Sequence, residues 1–202
     1  MGRGYHHGNL KEALIEAALG LIGQKGVGGF TFADAARMAG VSPAAPYRHF
    51  RDRDELLADV ARRGFESFGD ALTRSWDEGK PNPFEAIERL GKTYLAFARK
   101  EPAFYAAMFE GGISSDTTPE LRLAADRAFG VLREASEKLV ETMPAGRPPA
   151  MMVALHIWSL SHGIASLFAR PDESRRKLPM SAEDLLEAGV LIYLDGLGIR
   201  RP

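Results

Sequence analysis

The sequence contains no cysteine, which excludes disulfide bonds and metal sites built from thiolates. Its first residues lack the apolar core of a secretory signal peptide. A membrane span requires about 20 mostly apolar residues. Residues 150–168 come closest, but His156, His162 and several serines interrupt them. We therefore expect a soluble, cytoplasmic protein without a membrane-spanning segment.

Strand patterns and catalytic motifs are also missing from the sequence. Apolar residues do not alternate with a period of two, whereas spacings of three and four recur between prolines and glycines, which predicts an all-α fold of about nine helices. Ser159 is one helical turn from His162 but lacks a nucleophile elbow. His156 and His162 are six residues apart and lie on different faces of a helix. We expect no enzyme activity, no cofactor and no metal site.

Charge is distributed unevenly along a chain whose net charge is −1. Residues 1–53 contain seven cationic and four acidic side chains, so this segment carries a local excess of three positive charges. The net charge argues against a generic basic coat protein for nucleic acid. A small N-terminal DNA-binding domain, followed by a domain with another task, agrees with the distribution.

The segment from Thr31 to Arg53 has the pattern of two short helices joined by a turn. Thr31 precedes Asp34 by three residues, the spacing of a capping box at a helix start. Gly40 can adopt the left-handed conformation that ends a helix. Ser42 and Pro43 then fit the cap and first position of a second helix, with Tyr47 and Phe50 on its inner face. The pattern fits a helix-turn-helix, whose second helix enters the DNA major groove, or an ordinary helical hairpin.

Basic side chains favour the first of these alternatives, because DNA phosphates require cationic and hydrogen-bonding partners. They cluster at Arg48, His49, Arg51 and Arg53. The segment resembles the DNA-binding domain of the TetR family of bacterial transcriptional regulators. The matching motifs are Thr31, Ala-Gly-Val-Ser at 39–42, Tyr-Arg-His-Phe at 47–50 and Arg-Asp-Glu-Leu-Leu at 53–57.

The resemblance implies a DNA-contacting role for individual side chains of this segment. We expect phosphate contacts from Thr31, Tyr47, His49 and Arg53, and contacts to base edges from Ser42, Pro43, Ala44, Ala45 and Arg48. Arg3 in the N-terminal arm either reaches a minor groove or phosphate, or belongs to a disordered tail.

Pro46 departs from the family pattern, in which an apolar residue usually precedes the tyrosine. Proline has no N–H and cannot donate the backbone hydrogen bond that its helical position would make to Ser42. We therefore expect the second helix to be tight at its start, or to begin later.

The remaining chain is predicted to be a helical domain over residues 54–202, connected to the DNA-binding domain of residues 1–53 by a helix at about 53–76. Its last two long helices, at about 150–169 and 182–197, are apolar on more than one side. Helices of this kind are buried on every side, and in a small domain a second copy of the chain can supply the additional cover. TetR-like proteins dimerise in this way, so we expect a homodimer through these helices.

Methionine and aromatic residues concentrate in the middle of this domain and suggest an adaptable apolar cavity for a small effector, although each of them could instead be ordinary core. Trp158, His162 and Gly163 resemble the W-x-x-x-H-G signature of one branch of TetR C-terminal domains. His162 could bind a polar group of the ligand or a backbone carbonyl. The candidate lining residues are Phe97, Phe104, Met108, Phe109, Met152, Trp158 and His162.

The sequence as a whole favours a ligand-responsive DNA-binding regulator, acting as a homodimeric repressor on a palindromic operator and released by a small hydrophobic effector. The alternative is a helical ligand-binding or protein-interaction module that does not bind specific DNA. Pro46 and the slight net acidity motivate this alternative. The two hypotheses differ in whether the protein binds DNA with an affinity that depends on the base sequence of the DNA.

Overall fold

The computed structural model describes residues 10–143, 146–169 and 179–200. The predicted N-terminal arm, including Arg3, lies outside these ranges. The described residues form helices and connecting turns without any strand, which confirms the all-α prediction. Within these ranges, four short 3₁₀ segments lie at Val27–Gly29, Ala45–Arg48, Asp77–Gly79 and Ser115–Thr117. The α-helices are α1 (Leu10–Lys25), α2 (Phe32–Met38), α3 (Arg53–Trp76), α4 (Pro83–Lys100), α5 (Pro102–Phe109), α6 (Pro119–Glu141), α7 (Ala150–Ala169) and α8 (Ala182–Gly196).

The chain divides into two compact units. The first unit comprises residues 1–65 and 101–125, and the second comprises residues 66–100 and 126–202. Helices α3 and α6 therefore each contribute residues to both units. This division by packing does not test the functional boundary predicted between residues 53 and 54, which stays a prediction.

The core of the first unit is built on α1, which packs against α2 and α5. Leucine, isoleucine and alanine recur along α1 at spacings of three and four, so one stripe of the helix is apolar and becomes buried. The first half of α3 covers the same core. The fully buried side chains with the largest volumes in this unit are Leu14, Ile15, Leu56, Leu57, Val60, Leu121 and Pro46.

Ion pairs fasten α1 to α3 at the edge of this core. Arg63 donates hydrogen bonds to both carboxylate oxygens of Glu12, and it thereby lowers the Glu12 pKa. Asp59 lies between Lys11, whose Nζ is 3.1 Å from Oδ2, and Arg62, whose Nε is 2.7 Å from Oδ1. Burial raises the pKa of the Asp59 carboxyl, but the hydrogen bonds from Arg62 and Lys11 outweigh it, and this pKa lies below its ordinary value.

We expect Asp59→Asn to lower the free energy of unfolding at pH 7 by roughly 1–3 kcal/mol, because the substitution removes a charged hydrogen-bond acceptor from two cations. A carboxyl whose pKa is lowered by folding stabilises the native state above its unfolded pKa, about 3.9. That contribution is lost as the pH falls through the lower folded value. Urea denaturation of both proteins should therefore show a difference at pH 7 that shrinks by pH 3. A difference independent of pH would contradict the assignment.

In the second unit α4 packs against α7 and α8, which also pack against each other. Ser181 caps α8 by accepting a hydrogen bond from the Asp184 N–H (3.0 Å), as its position predicts. Arg99 of α4 donates to Glu183 of α8 (2.7 Å). Residues 150–168 of α7 are long and apolar enough to span a membrane by composition, a test that core helices of soluble proteins also pass.

Candidate nucleic-acid interface

The start of α2 is fixed by the capping box that the sequence predicts. Thr31 Oγ1 accepts a hydrogen bond from the Asp34 N–H (3.1 Å), and Asp34 Oδ2 accepts one from the Thr31 N–H (2.9 Å). The backbone N–H and the hydroxyl of Thr31 together lower the Asp34 pKa, so the carboxylate stays charged. Thr31 itself is exposed at the surface. The segment predicted to contact DNA therefore begins at a helix end that local hydrogen bonds specify.

The turn after α2 also follows the prediction, because Gly40 has a φ of +73°. The second helix of the segment differs from the prediction. Ser42 and Pro43 do not begin a helix; the segment is a single 3₁₀ turn at Ala45–Arg48 that follows Ala44. Its first backbone bond runs from the Ala45 N–H to the Ser42 carbonyl (3.0 Å). The later start agrees with the expectation drawn from Pro46, which cannot donate a backbone bond to that carbonyl.

Pro46 and Phe50 are the two inward-facing residues of this segment, and both are buried in the first unit. Tyr47 was predicted on the inner face with Phe50, but it is 64% exposed. Its ring packs edge-on against Phe32, with centroids 5.1 Å apart. Because a 3₁₀ turn has three residues per turn, burying Pro46 directs Tyr47 and Arg48 outwards.

An exposed strip consequently runs along the segment that was predicted to contact DNA. Ala45 is half-buried, and the other members of the strip are exposed. Small side chains come first and hydrogen-bonding or cationic ones follow, so the strip offers methyl contacts to base edges beside partners for phosphate. Its members are Ser42, Pro43, Ala44, Ala45, Tyr47, Arg48 and His49.

Two further exposed cations lie in the segment from Thr31 to Arg53 and were missing from the predicted contacts. Arg37 near the end of α2 and Arg51 before α3 expose 77% and 80% of their side chains. Arg51 belongs to the basic cluster of the sequence, but the family motif gives it no role. The signal that identifies Arg51 as a candidate contact is its exposure to solvent, which the motif does not encode.

Arg53 has a different environment from the one predicted for a phosphate ligand. Its Nε donates to the Phe30 carbonyl (3.0 Å), and one terminal nitrogen donates to the Val27 carbonyl. The other terminal nitrogen contacts Asp54 Oδ1 at 3.2 Å. The predicted cap of α3 lies beside it, where Asp52 Oδ1 accepts from the Glu55 N–H (2.9 Å).

The predicted effector-cavity residues fall into two groups, and the structure assigns them to different units. Phe104, Met108 and Phe109 of α5 belong to the first unit, where the Phe109 ring contacts Phe65 with centroids 5.5 Å apart. Phe97, Met152, Trp158 and His162 belong to the second unit. Whether either group lines a cavity for an effector stays a prediction.

Within the second unit, a tyrosine hydroxyl provides one hydrogen-bond partner for His162. Tyr94 Oη lies 2.9 Å from His162 Nδ1, a side-chain contact that the sequence did not indicate. The Trp158 and His162 rings have centroids 6.4 Å apart, and Phe129 packs on Trp158 at 5.3 Å. Phe68 meets both Tyr94 and Phe97. The residues thus form a continuous aromatic group with one polar pair.

No cluster of three or more potential metal ligands occurs within the described parts of the chain. A separate, open groove of about 400 Å³ lies on the surface of α7 and α8. It is lined by His156, Ser159, Leu160, Gly189, Ile192 and Tyr193. His156 Nδ1 is 3.0 Å from the Tyr193 hydroxyl, and burial raises the Tyr193 pKa.

Comparison with known proteins gives consistent results for both halves of the chain. Residues 14–60 match the family described as bacterial regulatory proteins of the tetR family, and residues 87–191 match the tetracyclin repressor-like C-terminal domain. The chain is 30% identical to the transcriptional regulator BetI of Brucella anthropi over 140 residues, which is 68% of this chain and 72% of BetI.

Two further proteins are similar over nearly the full length. An uncharacterised HTH-type transcriptional regulator of Bacillus subtilis, YobS, is 24% identical over 94% of this chain and 93% of its own. The crystal structure of PfmR from Thermus thermophilus, a TetR-family regulator, superposes with a TM-score of 0.69 at 23% identity. That superposition covers 93% of this chain and 99% of PfmR, so the whole fold is shared.

Proposed function

Because the chain belongs to the TetR family of bacterial DNA-binding transcriptional regulators, we propose that it is a homodimeric repressor released from DNA by a small hydrophobic effector. The observation that carries the proposal is the exposed strip at 42–49, held by a capped α2 and a buried Pro46. Its small side chains suit contacts with base edges in a major groove, and its cationic side chains suit contacts with the phosphates beside it.

On DNA, we assign contacts according to the chemistry of each exposed side chain. Thr31, Tyr47 and His49 offer hydrogen-bonding groups for phosphate oxygens. Arg48 is a candidate for a bidentate contact to guanine, and Ala44 with its neighbours for contacts to thymine methyl groups. Two such strips, one from each subunit, would read successive major grooves of a palindromic operator about one helical turn apart.

Dimerisation is proposed through the outward faces of α7 and α8. Met151, Leu155 and Leu167 of α7 and Ile192 of α8 are exposed in the single chain, although all four are large and apolar. Helix α7 contains no Asp, Glu, Lys or Arg. Burying its outward face therefore does not require the desolvation of any of these charged side chains. A second copy supplies the cover that a monomer lacks.

The effector site is proposed among the aromatic side chains of the second unit. Tyr94 and His162 provide a hydrogen-bonding pair amid apolar rings, and a pocket with few polar groups selects a mainly hydrophobic ligand. Helix α3 carries the change to the DNA-binding residues because it continues from one unit into the other. Effector and operator would then weaken each other's binding by the same factor.

These roles require access to DNA, so we propose that the protein acts in the bacterial cytoplasm. The first test is an electrophoretic mobility shift with the DNA flanking its own gene, in the presence of competitor DNA. We expect a saturable shift to an inverted repeat. Arg48→Ala should weaken this binding by at least about 30-fold, because the dimer loses two bidentate contacts, each of about 1–3 kcal/mol.

The matched control is Arg133→Ala, which removes another exposed arginine, from α6, and should leave DNA affinity unchanged. Selection from random DNA would recover a distant operator if the flanking DNA gives no shift. Failure of both experiments would favour the alternative, a helical module without specific DNA binding.

A further inference from the structure

Arg53 stands at the position where the family motif carries a basic residue, usually lysine, but its guanidinium contacts three groups of the protein itself. Each of its three nitrogens has a partner: the carbonyls of Val27 and Phe30 and the carboxylate of Asp54. The charged group also lies over the Phe30 ring, 4.7 Å from the centroid. Only 26% of the Arg53 side chain is exposed.

Arg51, two residues earlier, also contacts the aspartate that follows it, but its side chain is far more exposed than that of Arg53. It exposes 80% of its side chain, and its Nε contacts the neighbouring Asp52 at 3.1 Å. A surface pair of this kind is weak and is readily exchanged for another anion. Arg51 follows directly on the exposed strip, after Phe50.

We infer that Arg53 is a positioning residue that clamps the loop before α2 to the start of α3, and that Arg51 supplies the phosphate contact at this turn. The inference rests on the proposed DNA-binding function and deepens it. It reassigns the role that the family motif implies for Arg53.

The clamp acts on the interface through Phe30. The Phe30 carbonyl that accepts from Arg53 belongs to the peptide bond leading to Thr31, the cap of α2. Holding this carbonyl fixes the direction in which the chain enters α2, and α2 in turn supports the 3₁₀ turn at Ala45–Arg48. Arg53 would therefore influence DNA affinity without touching DNA.

Arginine is required for this role because its planar group donates in several fixed directions and stacks on an aromatic ring. A lysine ammonium is a compact point charge on a flexible stem, and it cannot reproduce two directed carbonyl contacts together with the stacked geometry. A phosphate contact, by contrast, is preserved by either cation. The conservative substitution therefore separates the two roles.

The experiment compares Arg53→Lys, Arg51→Lys and Arg51→Ala in thermal melts and in binding to a non-specific DNA duplex over a salt series. Arg53→Lys should lower Tm by about 5 °C, a typical shift for the loss of one or two contacts in a chain of this size. At a temperature where the variant is folded, its DNA affinity should fall several-fold at every salt concentration. The slope of log K against log salt should not change.

Arg51→Lys should keep the Tm and the salt slope of the wild type, because the positive charge at this exposed position is retained. Arg51→Ala should keep its Tm but lose about 0.9 from the slope for each subunit bound, as expected when one phosphate contact disappears. Asp54→Asn is the milder variant if Arg53→Lys fails to fold. It removes one partner of the clamp and should lower Tm slightly while leaving the slope intact.

Two results would overturn the inference. The first is an Arg53→Lys protein that melts and binds like the wild type, and the second is an Arg51→Ala protein with an unchanged slope. A wild-type protein that binds no DNA would instead contradict the proposed function. The melting temperatures of the two lysine variants would still decide whether Arg53 is a clamp.

Discussion

Ile192→Glu is expected to convert the protein from a dimer to a monomer at micromolar concentration. Ile192 is 75% exposed on α8 and lines the open groove with Tyr193 and His156, in the face proposed to meet a second copy. Burying an unpaired carboxylate costs several kcal/mol, and a symmetric interface contains the substitution twice. The dimer dissociation constant should therefore rise at least about 1,000-fold.

Size-exclusion chromatography with light scattering measures this change directly. Leu123→Glu is the matched control, because Leu123 is a 69% exposed apolar residue on α6, in the first unit. The control should remain dimeric and keep its affinity for an inverted repeat, whereas Ile192→Glu should lose that affinity. If both variants stay dimeric, the interface lies elsewhere on the molecule.

Two glycines of α3 are expected to respond in opposite directions to the same substitution. A Cβ atom at Gly64 would lie 2.7 Å from Met108 Sδ and 2.9 Å from Met108 Cγ, so Gly64→Ala forces Met108 out of position. A Cβ at Gly69 would meet Ala128 at an ordinary 3.5 Å. Gly69→Ala should stabilise the protein by about 0.5–1 kcal/mol through helix propensity. Gly64→Ala should destabilise it by roughly 1 kcal/mol, because an overpacking cost of about 1–3 kcal/mol exceeds the same gain in helix propensity.

Chemical denaturation of the two variants gives both free energies with the same helix as host. Truncating the neighbour provides the control, since Gly64→Ala combined with Met108→Ala should cost less than the sum of the separate changes. Strict additivity would show that Met108 is not the source of the clash. Equal stabilisation by both alanines would mean that α5 accommodates the added methyl group.

The sequence predicted the features that depend on neighbouring residues. The expected connecting helix at about 53–76 agrees with α3, because the Asp52–Glu55 cap starts it and a glycine and a proline follow its end. The capping box at Thr31 and the left-handed Gly40 are equally local. Signals of this kind act within four residues and can be recognised without a structure.

Contacts between residues distant in the chain could not be predicted in this way. Arg53 finds its carbonyl partners 23 and 26 residues earlier, and Tyr94 meets His162 across 68 residues. Nothing in the local pattern around these residues indicates those pairings. The exposure of Tyr47 was mispredicted for a related reason, since it depends on the phase of a 3₁₀ turn that is set by the burial of Pro46.

The buried Pro46 also limits how the specificity of this regulator can be redesigned. A recognition helix transplanted as a whole from a relative would bring a different residue to that position, and a core pocket shaped for a proline ring would then hold the wrong side chain. The set of residues that can be exchanged is therefore smaller than a whole recognition helix. Under the proposed assignment of base contacts, a library would vary Ala44, Ala45 and Arg48 while keeping Pro46 and Phe50, so that new operators are sought through three positions on an unchanged scaffold.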